Sequence, residues 1–433
     1  MSIISQEELD NKWFRTIGIL LMVVLFVKIG GFFTWSENIN ITRVVKVFSR
    51  IMMTISIIWI YRKIVNKGAI GTVRWEHTLA PVLYMAYLFL GLASLMWSTK
   101  PGYSGLQWFM DIESLVFAFY YIRCFVLLDK YFPQGGIRFS NVLGNATFMM
   151  LLIFIIGMWV DPDNFYRLTH GGEEARLGGL FMNPNELGML CVVGISSLIF
   201  DLYTDKSKLW CFIKMAGLMY ALIMTGSRST TIGFLIVAFF HINQSKHIKL
   251  KIAMYAGGFA IIPVAVSTMI VKEHGGGLEE VMSMTGRLPF WQALLTEGFP
   301  KEPLLGFGFM RIAYKDFFQG VHTYPGQMTH NTFIQVLMNL GIVGFTIVFY
   351  QMVATVKGIM AQDKTKKLML VGFMIPVIIN SFTEFGIFGE TNYGILFYQL
   401  TFLYVSVNIQ DKLTPKEKLF LKKRRPDLDI KFA

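Results

Sequence analysis

Long apolar runs recur along almost the whole chain, each bounded by a short polar or charged stretch. An α-helix rises about 1.5 Å per residue, so about 20 apolar residues cross the hydrocarbon core of a bilayer. On that measure the pattern predicts about twelve transmembrane helices. They fall at 14–33, 45–61, 79–97, 107–128, 140–160, 185–203, 208–225, 229–242, 252–271, 342–360, 367–385 and 392–409. The fold expected is an all-α polytopic membrane protein, one transmembrane domain over 1–433 with most span interiors apolar. The run at 45–61 is the least clear, because Lys46 and Arg50 fall near its start, and omitting it would invert every later segment. The run at 14–33 is long enough to span, with no small-residue cleavage pattern after it, and is expected to stay as the first helix.

The longest stretch without a continuous apolar run is 272–341. It predicts a large, partly helical extracytoplasmic loop between the ninth and tenth spans, acting as a catalytic lid. Two helix starts fall in it. Thr285-Gly286-Arg287 precedes Phe290, Trp291, Leu294 and Leu295, and Thr329-His330-Asn331 precedes a stripe of Phe333, Val336, Leu337 and Leu340 closed by Gly341. Between them, Leu304–Phe309 reads as a buried turn with a structural role.

Composition agrees with the pattern: 54% hydrophobic residues and a mean hydropathy of +0.51 exceed what a soluble domain carries. Cys124, Cys191 and Cys211 have no paired spacing, so no disulfide or metal framework is expected. The net charge of +12 lies largely in short loops holding Arg62, Lys63, Lys67 and Arg74, then Lys130 and Arg138, then Lys246, Lys249 and Lys251, and in the basic tail 410–433. The positive-inside rule makes those loops and both termini cytoplasmic and suits the tail to an anionic inner leaflet. Topology thus accounts for the charge, and nucleic-acid binding is not expected.

Arginines on the opposite side are not explained that way. Arg176 lies in a Gly-rich stretch ending at Asn183-Pro184-Asn185, a turn and cap that opens the sixth span and makes a ready anion site. Arg228 occupies the tight turn Thr225–Ser229, where a snorkelling interfacial arginine is the alternative. Arg287 falls at a first helical turn, where the dipole disfavours a cation, so either a bound anion or an ion pair with Glu279 or Glu280 is expected. His330 stands at the second helix start, where imidazolium is disfavoured and a neutral ring can serve as general base; a cap or packed polar residue is the blander reading. Asn331, Glu384 and Glu390 are candidates for orienting the acceptor or the base. Phe290, Trp291, Phe307, Phe309 and Tyr314 are expected to pack rather than stack on sugars. No histidine–carboxylate cluster has metal-ligand spacing, and no cofactor is expected.

ATP and nucleotide sugars are cytoplasmic, so an outward-facing synthetic enzyme needs a pre-activated donor such as a sugar on a lipid diphosphate. Arginine forks suit that leaving group, and one base with several arginines would suffice. Arg176 to Asn185, Ser227-Arg228, Gly286-Arg287 with Trp291, Leu304 to Phe309, and His330-Asn331 leading to Leu340-Gly341 resemble, in order, the O-antigen ligase and O-antigen polymerase superfamily. Trp97-Ser98 resembles a further recurrent feature of it. The resemblance implies a metal-independent, inverting glycosyltransferase of the GT-C type on the outer face of a bacterial plasma membrane, with undecaprenyl-diphosphate-linked oligosaccharides as donor and acceptor. It further implies Arg228, Arg287 and Arg176 as diphosphate ligands and His330 as the acceptor-activating base. Flippase and chain-length regulator proteins are the partners it suggests. Abundant lysine, isoleucine and methionine favour a polymerase for capsule or exopolysaccharide over a ligase acting on lipid A core. A lipid-linked oligosaccharide transporter is the alternative from another class.

Overall fold

The computed structural model describes residues 6–169, 174–204, 208–244, 248–249, 251–252, 255, 287–309, 329–384, 386–409 and 413–424. Its helices are α1 Gln6–Gly30, α2 Ile39–Gly68, α3 Leu79–Ala93, α4 Pro101–Tyr131, α5 Phe139–Val160, α6 Pro162–Phe165, α7 Pro184–Thr204, α8 Lys208–Met224, α9 Arg228–Gln244, α10 Arg287–Ala293, α11 Thr332–Ala361, α12 Lys364–Thr383, α13 Tyr393–Ser406 and α14 Pro415–Arg424. Almost all of the expected ninth span lies outside the described residues, as do Lys272, His274, Glu279, Glu280, Arg311, Tyr314, Lys315 and His322.

Among the described residues seven helical segments are long and apolar enough to cross a membrane, in α1, α2, α3, α5, α7, α11 and α12. The count of about twelve is therefore not reproduced. The expected spans at 208–225, 229–242 and 392–409 coincide with α8 and α9, of 17 residues each, and α13, of 14. The span at 107–128 falls in α4, which is long enough at 31 residues but carries Asp111, Glu113 and Arg123. The unclear run at 45–61 belongs to a continuous 30-residue helix, α2, whose start is capped by Asn38 accepting from the amides of Asn40 and Ile41.

Span interiors are also more polar than expected. Lys28 of α1 and Arg50 of α2 are buried against Glu113 of α4, with Lys28 Nζ 2.5 Å and Arg50 Nη2 3.3 Å from its oxygens. Beside them Asp111 accepts from Tyr84 Oη at 3.0 Å and from Gln399 Nε2 at 2.8 Å. The ion pairs join α1 and α2 to α4, and the Asp111 hydrogen bonds join α3 and α13 to α4, so the helices lock through polar contacts as well as through packing. Two short antiparallel ladders qualify the all-α expectation: β1 Val73–Trp75 with β4 Val407–Ile409, and β2 Tyr166–Thr169 with β3 Glu174–Leu177. Arg176, expected in a loop, sits on β3.

Gly341 does more than close a short helix. Helix α11 resumes directly after it, so the expected loop helix and tenth span form one element broken at Gly341, with φ 62° and ψ −164°. The break frees backbone groups, and the turn at 303–309 takes them up: Phe307 and Gly308 donate to the carbonyls of Met338 and Asn339, while Ile342 and Val343 donate to those of Pro303 and Leu304. Phe307 packs with Phe290, Leu294 and Met338, and Phe309 lies 5.5 Å from the Tyr87 ring. The expected aromatic packing is thus seen at these described residues, and it seats the first part of the loop on α11 and α3.

Candidate functional site

The site is built where α7, α10 and α11 begin and α12 ends. Asn331 caps α11, its side chain accepting from the amides of Phe333 and Ile334, which places His330 one residue ahead of the helix rather than in its first turn. His330 has φ 49°, a left-handed conformation that a non-glycine residue adopts at a cost of order 1 kcal/mol or more. The neighbours hold it there. The Thr329 hydroxyl donates to the Asn331 carbonyl at 2.7 Å and accepts from its amide at 3.2 Å. The Trp291 indole of α10 donates to the Thr329 carbonyl at 2.6 Å. Thr332 Oγ1 accepts from Gly386 N at 2.8 Å, tying the segment after α12 to the start of α11.

That tie sets Glu384 opposite the imidazole. Glu384 Oε2 lies 2.6 Å from His330 Nδ1, while Oε1 accepts from Arg287 Nη2 at 3.2 Å and from Asn185 Nδ2 at 2.9 Å. The Glu384 side chain is only 3% exposed and caps the C-terminal end of α12, a position where both burial and the helix dipole oppose a negative charge. Burial raises its pKa, but the hydrogen bond and charge of His330, the charge of Arg287 and the hydrogen bond from Asn185 outweigh it and hold the carboxyl below its ordinary value. An ionised carboxylate only accepts, so the proton between the pair belongs to His330 Nδ1, and Nε2 becomes the basic nitrogen of the ring.

Arg287 opens α10 as expected, and among the described residues it pairs with Glu384 from 97 residues away; Glu279 and Glu280, the expected partners, lie outside the described residues. Arg176 donates from Nε to the Thr225 carbonyl at 2.8 Å and from Nη2 to Asn185 Oδ1 at 3.1 Å. It therefore spans from β3 to the turn that leads into Arg228, the first residue of α9. Gly226 in that turn has φ 57°, and a Cβ there would come within 3.4 Å of Arg176 Nε. His330, Glu384, Arg287, Asn185 and Arg176 thus form one connected group. Glu390 takes a different partner, accepting from Tyr103 Oη of α4, and the Asn331 side chain is spent on its cap.

The sequence reading missed Asn185 as a partner of Glu384, seeing only a turn. Asn183 does cap that turn, with Oδ1 accepting from Asn185 N at 2.9 Å, and Pro184 starts α7. The same local geometry turns the Asn185 amide toward α12.

Residues 213–349 match the family model described as O-antigen ligase. Over that segment, about a third of its length, the chain is similar to the O-antigen ligase family. Arg228, Arg287, His330 and Asn331 fall inside this O-antigen ligase segment, whereas Arg176, Asn185, Glu384 and Glu390 fall outside it. No curated protein matches the chain. A helical membrane protein with ligase- or polymerase-type glycan transfer on lipid-linked oligosaccharides is the function this segment supports.

Proposed function

We propose that the protein is a polysaccharide polymerase, moving glycan from an undecaprenyl-diphosphate-linked donor onto a lipid-linked repeat unit at the outer face of a bacterial plasma membrane. The observation that carries this reading is the His330–Glu384 pair with Arg287 on the same carboxylate, joined through Asn185 and Arg176 to the turn that precedes Arg228.

In the reaction an acceptor hydroxyl oxygen attacks the donor's anomeric carbon, the bond from that carbon to the diphosphate oxygen breaks, and configuration inverts. His330 Nε2 takes the hydroxyl proton while Nδ1–H stays on Glu384, which stabilises the imidazolium that forms. A positioned base of this kind is worth about 10²–10⁴-fold in rate. The electron pair of the broken bond leaves on the diphosphate, where Arg228 and Arg287 meet the growing charge; no metal enters the scheme. The described parts of the loop, 287–309 and 329–341, pack over this corner and shield the step from water.

A groove of about 540 Å³ runs beside α11 from Asn331, next to His330, to Lys357. Its walls include Phe333, Phe345, Phe349, Met352 and Phe382, apolar surface suited to a prenyl tail whose diphosphate lies at the His330 end.

Ligase activity is the second reading, favoured by the description of the matching family. Purified protein given synthetic undecaprenyl-diphosphate repeat units in EDTA separates the two. A ladder of longer lipid-linked products supports a metal-independent polymerase. Transfer only when lipid A core is supplied would replace it with the ligase, and absence of both products, with lipid-linked oligosaccharide moved between leaflets, would favour a transporter.

A further inference from the structure

Asn185 bridges a donor group on one side and an acceptor group on the other. Arg176 presents only donors and the Glu384 carboxylate only acceptors; Asn185 accepts from the first at 3.1 Å through Oδ1 and donates to the second at 2.9 Å through Nδ2. Its own backbone is fixed by the Asn183 side chain at the start of α7. Beyond Arg176 the connection continues to the Thr225 carbonyl, three residues before Arg228.

We propose that Asn185 is a positioning residue for the base: it turns Glu384 so that Oε2 meets His330 Nδ1, and through Arg176 it sets the Arg228 turn and the base in one fixed relation. Arg176 then acts as a strut rather than as a diphosphate ligand. This rests on the reading of His330 as the base, but the contact itself is testable without the reaction.

A leucine at 185 removes both hydrogen bonds at nearly the same volume and leaves Glu384 with His330 and Arg287 alone. Asn185→Asp keeps the shape and the acceptor toward Arg176 but adds a carboxylate to a corner that already holds the charges of Glu384, Glu186, Glu390 and Lys46 as well as His330 and Arg287, so the added group holds its proton to higher pH than a free aspartate. Protonated, that aspartate again donates to Glu384. The Asn185→Asp variant should therefore recover as pH falls, which a merely structural asparagine would not produce.

The experiment uses the purified full chain with ¹⁵N-labelled histidine, of which there are seven, and a His330→Gln variant to assign the His330 ring signals. In Asn185→Leu the His330 nitrogens should shift while the other histidines stay in place; unchanged His330 signals would overturn the proposal. In the transfer assay kcat should fall about 10- to 100-fold, the size expected when a catalytic group is displaced by about 1 Å, while donor KM, on which the Arg228 turn also bears, should rise by a smaller factor. A KM increase at constant kcat would overturn it. Asn185→Asp, which guards against misfolding of the leucine variant, should have most of wild-type activity missing at about pH 8 and a smaller deficit against wild type at the same pH by about pH 5.5; a deficit equal at every pH contradicts the proposal. His330 signals that shift in Asn185→Leu, together with a wild-type chain that transfers no glycan, would instead place the fault with the proposed function.

Discussion

His330 Nδ1 and Glu384 Oε2 lie 2.6 Å apart although 54 residues separate them. The first precedes the cap of α11 and the second caps the end of α12, so the pair exists because two helix ends meet. If Glu384 fixes the tautomer and stabilises the imidazolium, Glu384→Gln should lower kcat by about 10²–10⁴-fold, close to the loss from removing a general base. Steady-state transfer measurements on Glu384→Gln and His330→Ala check this; a kcat for Glu384→Gln within about twofold of wild type would refute the orienting role.

Arg287→Lys should not be a mild change. Lysine keeps the charge but loses the planar fork that can hold Glu384 and a phosphate oxygen together. The expected result is a fall in kcat/KM of about 10-fold or more, seen in initial rates at low donor concentration, since one hydrogen bond to a charged group is worth about 1.5–3 kcal/mol.

Acid should loosen this corner of the molecule. Burial opposes ionisation of Glu384, its partners prevail, and the folded pKa falls below the ordinary 4.5. A carboxyl whose folded value lies below its unfolded value contributes stability that is fully present above the unfolded pKa and lost as pH falls through the folded one. Thermal unfolding followed downward from about pH 7 should therefore show wild type losing stability below about pH 4.5 more steeply than Glu384→Gln.

How far was this site legible in the chain? His330, Asn331 and Arg287 stand out because each opens a recognisable helical pattern, a local signal. Glu384 was visible only as an acidic residue in an outer loop, and nothing local marks it as the partner of residues 54 and 97 positions away. Asn185 was hidden for a related reason: Asn-Pro-Asn is a sufficient turn signal by itself, and the second use of the amide depends on where α12 ends. Lys28, Arg50 and Glu113 sit in or near apolar runs that average out single charges, so hydropathy passes over a buried triad. Gly341 was recognised as a stop, yet whether a helix ends or merely breaks depends on who satisfies its carbonyls. Residues 303–309 do so, and only the fold brings them there.

The Lys28–Glu113–Arg50 group makes an ordered prediction about stability. Glu113→Gln leaves two buried cations without their carboxylate and should cost about 3–5 kcal/mol, whereas Lys28→Met leaves Glu113 still paired with Arg50 and should cost less. Unfolding temperatures of the two variants in the same detergent test the order; a smaller loss for Glu113→Gln would contradict it.

A Cβ at Gly341 would lie 2.2 Å from the Leu304 carbonyl oxygen, at a backbone φ of 62°. Gly341→Ala should therefore destabilise the protein by more than about 2 kcal/mol and release the 303–309 turn. Limited proteolysis within 299–309 should become faster in the variant, and wild-type resistance there would argue against the interlock.

The central claim is that His330, held by Glu384, takes the acceptor proton while Arg228 and Arg287 hold the leaving diphosphate. The most direct test is single-turnover transfer from a synthetic undecaprenyl-diphosphate repeat unit, comparing wild type with His330→Ala alongside donor binding to both. The account requires donor affinity within about twofold and a transfer rate lower by about 10²–10⁴-fold in the variant. A His330→Ala protein that binds the donor and transfers at the wild-type rate would contradict it.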